Sequence, residues 1–378
     1  MRIGFITTSH IPSKTANSIQ VMKVCHAIQS LGMDVHLWVP DFGRADWEAL
    51  AENYGLAQHF AITWLPFKRW MKQYDFCLRA VREVRDWGGE AVYTWALQAA
   101  VAAGLQRLPS VMEFHDFPMG RIGPHLFRTW MRQRGKKLVL CTTRALADGL
   151  IDDYGYHLPD EILQIAPNGT DLERYANLPD PGEARKTLGL AEGFTVGYSG
   201  HFYPGRGMAL LTRIAAGMPH IRFLWMGGQE ADIAPWVNDL ADKGIHNVTI
   251  TGFIPNSRLP LYQAAANCLV MPYGKKISGS SGGDISRVIN PMKMFDYLAC
   301  GRAIIASEIP VFHEILNDGN AIFCDAENPG EWINAIQTLA DDPTLRARLA
   351  GNGRRDAARY TWQMRAQTTM DKLSRLLS

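Results

Sequence analysis

MRIGFITTSHIPSKTANSIQVMKVCHAIQSLGMDVHLWV, residues 1–39, decides the fold class. Residues 3–7 make a short apolar strand, and residues 9–18 a polar loop containing a proline. Residues 19–31 then carry Ile19, Val21, Met22, Val24, Ile28 and Leu31 at helical spacing. Gly32 stops that helix, and residues 35–39 form the next strand. A strand, helix and strand of this size are the building unit of a parallel sheet.

The alternation recurs outward from this unit. Strands are expected at 91–94, 110–114 and 137–142, with helices at 96–105 and 144–154, and residues 161–165 lead into the turn PNGTD at 167–171. Residues 178–193 hold Pro179, Pro181, Gly182 and several charges, and read as a linker. The alternation then restarts with FTVGYSG (194–200), a helix from Met208, IRFLWMGG (221–228), NVTITGF (247–253), a helix at 259–266 and CLVMPY (268–273). A Gly/Ser loop (278–283), a helix, AIIAS (303–307) and AIFCDA (321–326) follow. Two alternations of Rossmann size predict an α/β protein of two doubly wound domains facing one another. Residues 361–377 carry Trp362, Met364, Met370, Leu373 and Leu376 as an amphipathic terminal helix.

The length of 378 residues suits about two domains. Hydrophobic residues make up 47% and charged residues 20%, an ordinary globular balance, and a net charge of +2 gives no electrostatic case for nucleic acid. The six cysteines form no CxxC pair and mostly sit in apolar runs, as buried free thiols in a reducing cytoplasm would. The opening apolar run is too short for a secretory leader, and no stretch reaches the ~18 apolar residues of a membrane span. No metal-ligand cluster stands out.

The richest chemistry lies in SGSSGGDISRVINPMKMFDYLACGRAIIAS (278–307). A Gly/Ser loop frees backbone N–H groups, and Pro291 suits a helix start. A helix N-terminus has unsatisfied donors and a partial positive charge, a natural seat for a diphosphate. Lys293 adds a full charge on the first turn, and Asp296 lies one turn deeper on nearly the same face, where a carboxylate can accept from ribose hydroxyls. The same residues also read as a solvated loop and an ordinary Lys–Asp pair. EFHDF (113–117) follows an expected strand, at the carboxyl edge of a parallel sheet where ligands of open α/β folds bind.

The segment 278–307 resembles the donor-binding motif of the retaining family-four glycosyltransferases with a GT-B fold, in the form SPxKxFEYMAxGxPVIAS. The likeness runs through Asn290, Pro291, Lys293, Phe295, Asp296, Tyr297, Gly301 and residues 304–307, with Met292 inside it. Asn290 replaces the usual Ser, Asp296 the usual Glu, and Ala303 the usual Pro. The E-x7-E form would put its first Glu at Val288, and Asp284 is the nearest carboxylate that could take its place. TVGYSGHFYPGRGMALL resembles the family's strand–loop–helix that holds the donor diphosphate. That resemblance assigns His201 and Arg206 to the phosphates, with Gly200, Gly205 and Gly207 permitting close approach. TGFIPNSRLPLYQAAANCLVMPY is similar to the segment bordering the nucleobase, which implicates Gly252, Phe253 and Ile254. Asn17 and Ser18 are expected to cap the first helix near the sugar or acceptor. PNGTDLERY matches an interdomain turn. The resemblance puts the active-site His at His115, with Glu113 or Asp116 fixing its tautomer.

The resemblance therefore implies a GT-B enzyme: an acceptor-side domain over 1–180, a donor-binding domain over 181–358, and a terminal helix 359–378 crossing back onto the first. It implies a retaining, metal-independent transfer from a nucleotide-diphosphate sugar, with no cofactor, to a glycan or lipid-linked acceptor in glycan, polysaccharide or glycolipid synthesis. His115, Arg206, Lys293 and Asp296 are its expected catalytic residues. A nucleotide-sugar epimerase on the same fold and an inactive nucleotide-binding subunit remain as alternatives. The basic–aromatic stretches 67–87 and 125–137 suit either an anionic membrane surface at the cytoplasmic face or amphipathic helices with a solvated basic side.

Overall fold

The computed structural model describes residues 1–278 and 283–378. It divides into two compact units, one of Met1–Asn168 with Trp362–Ser378 and the other of Gly169–Thr361. Most of the expected Gly/Ser loop, 279–282, lies outside the described residues.

The first unit holds β1 (Arg2–Ile6), β2 (Asp34–Pro40), β3 (Ala61–Leu65), β4 (Ala91–Thr94), β5 (Ser110–Phe114), β6 (Lys137–Cys141) and β7 (Leu163–Ile165). They form one sheet in the order β3-β2-β1-β4-β5-β6-β7 with every pair parallel. Strands β4, β5 and β6 are buried along their whole length, as expected of a parallel sheet covered on both faces. The chain winds outward from β1 in one direction and from β4 in the other. The carboxyl ends of these two strands therefore mark the topological switch point where such folds bind ligands.

Local chemistry corrects several expectations. The first helix is Ala16–Ser30, starting before residue 19 because Thr15 is its N-cap and accepts from the Ser18 amide. Asn17 and Ser18 are thus not caps. Asn17 is exposed in the first turn, and Ser18 is buried with its hydroxyl donating to the carbonyls of Ser13 (3.1 Å) and Thr15 (2.9 Å). Strand β3 went unread because it is a half-exposed edge strand with no clean alternation.

The second unit holds β8 (Thr195–Ser199), β9 (Arg222–Met226), β10 (Val248–Ile250), β11 (Cys268–Met271), β12 (Ala303–Ser307) and β13 (Ala321–Cys324), ordered β10-β9-β8-β11-β12-β13 and again all parallel. Its core packs Phe223 and Trp225 of β9 with Trp332 and Leu339 of the helix Pro329–Asp341.

Residues 178–193 are not a linker. Asp180 caps a helix at Pro181–Leu188 by accepting from the amides of Gly182 and Glu183, and Gly189 ends it at φ 65°. The prolines and glycines there punctuate a helix of the second unit. The change of unit falls earlier, inside the PNG turn between Asn168 and Gly169.

The terminal helix Trp362–Leu377 belongs to the first unit. It buries Trp362, Met370 and Leu373, but Met364 is exposed, and Arg365 takes a buried position instead. Stretch 67–87 contains the helix Tyr74–Asp86, which buries Phe76, Ala80, Val81 and Val84, and 125–137 contains most of Gly123–Arg132, which buries Phe127 and Trp130. All six cysteines are buried and unpaired. No described helix is long and apolar enough to cross a membrane.

Candidate active site

In the second unit the site grows from the end of β8. Gly200 (φ 141°), Gly205 (φ 81°) and Gly207 (φ 80°) all lie where a side chain is strained. A Cβ on Gly200 would stand 2.6 Å from the Lys293 ammonium, and one on Gly207 would collide with the Pro272 carbonyl. Gly200 donates to Met226 O (2.8 Å) and Gly227 to Gly252 O (2.9 Å), which joins the carboxyl ends of β8, β9 and β10 into one rim. Below it, the Tyr297 hydroxyl accepts from the Ser199 amide at 2.7 Å, tying β8 to the helix Met292–Cys300.

Pro291 is the N-cap of that helix, so Met292 and Lys293 open it. The Lys293 ammonium is buried with no hydrogen-bond partner among the described residues. It lies 3.9 Å from the centre of the Tyr198 ring and 5.3 Å from that of Tyr273, and the Arg206 guanidinium stands 5.1 Å over Tyr273. Burial, reinforced by Arg206, pulls the ammonium well below the ordinary lysine range. His201 stacks flat on Tyr203, and its buried Nδ1 also has no partner among the described residues. Burial, then Lys293 and Arg206, lower its pKa and favour the neutral ring. Buried polar atoms are rarely left unpaired. Two of them, beside the Arg206 guanidinium and a helix N-terminus, make a seat for a multiply charged anion.

In the first unit the site lies past β5. Glu113 is fully buried, and its Oε1 meets His115 Nε2 at 3.0 Å, Gln20 Nε2 at 2.8 Å and Arg365 Nη2 at 2.7 Å. The Tyr93 hydroxyl donates to its Oε2. Burial alone would raise this carboxyl, but Arg365 and then His115 outweigh it and hold the acid ionised well below the carboxylate range. Glu113, not Asp116, therefore orients His115. Asp116 accepts from the Phe117 amide, and burial raises its pKa. With Nε2 turned to Glu113, His115 leaves Nδ1 without a partner among the described residues. Its side chain is 31% exposed and stands edge-on to Trp95 at 5.0 Å. Paired in this way, the neutral ring carries its proton on Nε2 and offers Nδ1 as an acceptor.

Two family models match: Glycosyltransferase Family 4 over residues 18–174 and Glycosyl transferases group 1 over residues 193–342. The chain belongs to the family-four, group 1 glycosyl transferases. It is 22% identical to a phosphatidyl-myo-inositol mannosyltransferase of Mycolicibacterium smegmatis, over 96% of this chain and 91% of that one. It is 27% identical to a D-inositol 3-phosphate glycosyltransferase of Stackebrandtia nassauensis over 59% of this chain, a match spanning only 51% of that relative. Among solved structures, Anabaena HepE in complex with UDP superposes with a TM-score of 0.76 at 19% identity, covering 99% of this chain and all of HepE; HepE has also been solved with UDP-glucose. These neighbours establish the GT-B fold of two Rossmann-like domains.

The family motif accounts for His201, Arg206 and Lys293, which the structure brings together, and for Asn290, Pro291 and Met292 around the same helix start. Asp296 accepts from the Thr170 hydroxyl at 2.9 Å, and Val288, at the place of the missing glutamate, is core. Asp284 is exposed and holds its own loop, accepting from the amides of Ile277 and Ser286. Gly252 (φ 73°) is part of the rim, followed by the half-buried Phe253 and Ile254. Sequence reasoning missed Tyr198, Tyr273, Gln20, Tyr93 and Arg365. The signal for the last was present: an arginine on the apolar face of the terminal helix, where a charge needs a partner.

Proposed function

We propose that the protein is a retaining, metal-independent transferase that moves a sugar from a nucleotide-diphosphate sugar to an acceptor hydroxyl in glycan, polysaccharide or glycolipid synthesis. The observation that carries the reading is the pair of buried, unpartnered nitrogens, Lys293 Nζ and His201 Nδ1, beside Arg206 at a helix N-terminus. Charge grows on the leaving diphosphate as the glycosidic bond breaks, so fixed cations aimed at it favour the transition state over the ground state. Asp296, oriented by Thr170, anchors the ribose, and Gly252, Phe253 and Ile254 border the base. His115 hydrogen-bonds a sugar hydroxyl through its free Nδ1. Retention and the absence of a metal requirement rest on family membership. A lipid-linked acceptor fits the mannosyltransferase relative and Trp70, which is 77% exposed with Lys68 over its ring.

The test is nucleotide release from a panel of UDP-, GDP- and ADP-sugars, with and without glycan acceptors, alongside Asp296→Ala. Acceptor-dependent release from one donor, lost in the variant, is expected. Conversion of the donor sugar without acceptor would point to an epimerase. Binding without turnover would point to an inactive subunit.

Proton uptake gives a second check. A bound diphosphate raises the lowered pKa values of Lys293 and His201, so protons are taken up on binding and affinity weakens as pH rises between the free and bound values. Calorimetry of the sugar nucleotide in buffers of different ionisation enthalpy should record this uptake. A heat independent of the buffer would count against the assignment.

A further inference from the structure

We propose that Arg365, from the helix that ends the chain, is a positioning residue for His115: through Glu113 it fixes the imidazole with Nε2 inward and Nδ1 free. The proposal rests on the reading of His115 as a sugar contact and adds the terminal helix to the site. Arg365 has a side chain only 5% exposed and spends all of its fork inside the first unit. Nη2 pairs with Glu113, Nη1 donates to the Tyr93 hydroxyl at 3.2 Å, and Nε donates to the carbonyls of Pro167 (3.0 Å) and Ala166 (3.3 Å). The bonds to Ala166 and Pro167 fix the guanidinium just after β7, and the pair with Glu113 carries that fixed point to β5 and the histidine two residues on.

The groups turned to Glu113 can be enumerated by element. The helix Ala16–Ser30 presents Gln20 and the Cys25 thiol, β4 presents Tyr93, β6 presents Cys141, the loop after β5 presents His115, and the terminal helix presents Arg365. Burial keeps Tyr93 and both thiols protonated, Cys141 being pushed up to about 12. Asp116, beside the ring, is the other carboxyl its charge reaches. Arg365 is the cation that does most to hold Glu113 ionised. Without it, the carboxylate recruits a proton onto His115. The imidazolium then has a donor where the neutral ring offers an acceptor.

The test is side-chain 15N NMR of His115 across pH, with the signal assigned by its loss in His115→Gln. In Arg365→Gln the imidazolium should persist to a higher pH than in the wild type. Arg365→Lys, which keeps the charge, should restore the wild-type midpoint. At neutral pH, turnover of Arg365→Gln should fall several-fold as the share of neutral ring falls, while the Kd for the nucleoside diphosphate released in the donor panel stays within about twofold. A wild-type His115 midpoint in Arg365→Gln overturns the inference. If that variant does not fold, Glu113→Gln and Glu113→Gln/Arg365→Gln replace it: a coupling carried by the carboxylate requires Glu113→Gln to lower the His115 midpoint from the wild-type one and the double variant to match Glu113→Gln, and an unchanged midpoint in Glu113→Gln, or a further shift in the double variant, overturns the inference. Full activity in His115→Ala would instead sink the role given to the ring and leave the Arg365 coupling measurable.

Discussion

Lys293→Met should abolish sugar transfer, by about 10²–10³-fold or more, and at the same time make the ligand-free protein more stable. The two halves have one cause. The ammonium is buried beside Arg206, against the faces of Tyr198 and Tyr273, with no hydrogen-bond partner among the described residues. The ring faces offset only part of the desolvation cost. Methionine fills nearly the same volume without a charge, so the gain in the empty protein should be about 1–3 kcal/mol, or roughly 2–4 °C per kcal/mol for a domain of this size. The nucleoside diphosphate of whichever donor the panel selects should reverse the ranking. At 100 times its Kd it should stabilise the wild type by about 2.7 kcal/mol and the variant hardly at all. Thermal melts of both proteins with and without that nucleotide read all four values. A variant that melts lower when empty, or that the nucleotide still protects, would show Lys293 to be a packing residue.

How much of this was legible in the sequence differs between the two units for a physical reason. Glycine-rich turns and helix starts are local devices, so GHFYPGRG and NPMK reveal their purpose within a few residues: strained glycines at Gly200, Gly205 and Gly207, a cap at Pro291, a cation at Lys293. The strands followed equally well, because a parallel strand buried on both faces is a nearly unbroken apolar run, and 91–94, 110–114 and 303–307 coincide with β4, β5 and β12. The misreading at 178–193 arose because Asp180, Pro181 and Gly182 carry the same composition at a helix start as in a linker. What no local pattern could supply is the meeting of Gln20, Tyr93, Glu113 and Arg365, whose positions span most of the chain. EFHDF offered two carboxylates for His115, and only the placement of Arg365 decides for Glu113.

That long-range cluster sets the second large effect. Glu113→Ala should destabilise the protein by about 3–5 kcal/mol, because it leaves the Arg365 guanidinium buried without a counter-charge and deprives Tyr93 and Gln20 of their acceptor. Replacing both partners, as in Glu113→Leu with Arg365→Met, should cost less than Glu113→Ala alone, since no buried charge is then stranded. The pH dependence follows from the depressed carboxyl. A group whose folded pKa lies below its unfolded value contributes stability that is complete above the unfolded value, 4.5 for Glu113, and that is lost as pH falls toward the folded one. The gap between wild type and Glu113→Ala should therefore be constant from neutral pH down to about 5. Below that it should close at about 1.4 kcal/mol per pH unit, having narrowed by roughly 2 kcal/mol at pH 3. Urea unfolding of the two proteins from pH 7 to pH 3 measures both slopes. If the gap held constant across that range, Glu113 would not be the ionised anchor of the cluster, and the orientation of His115 would need another source.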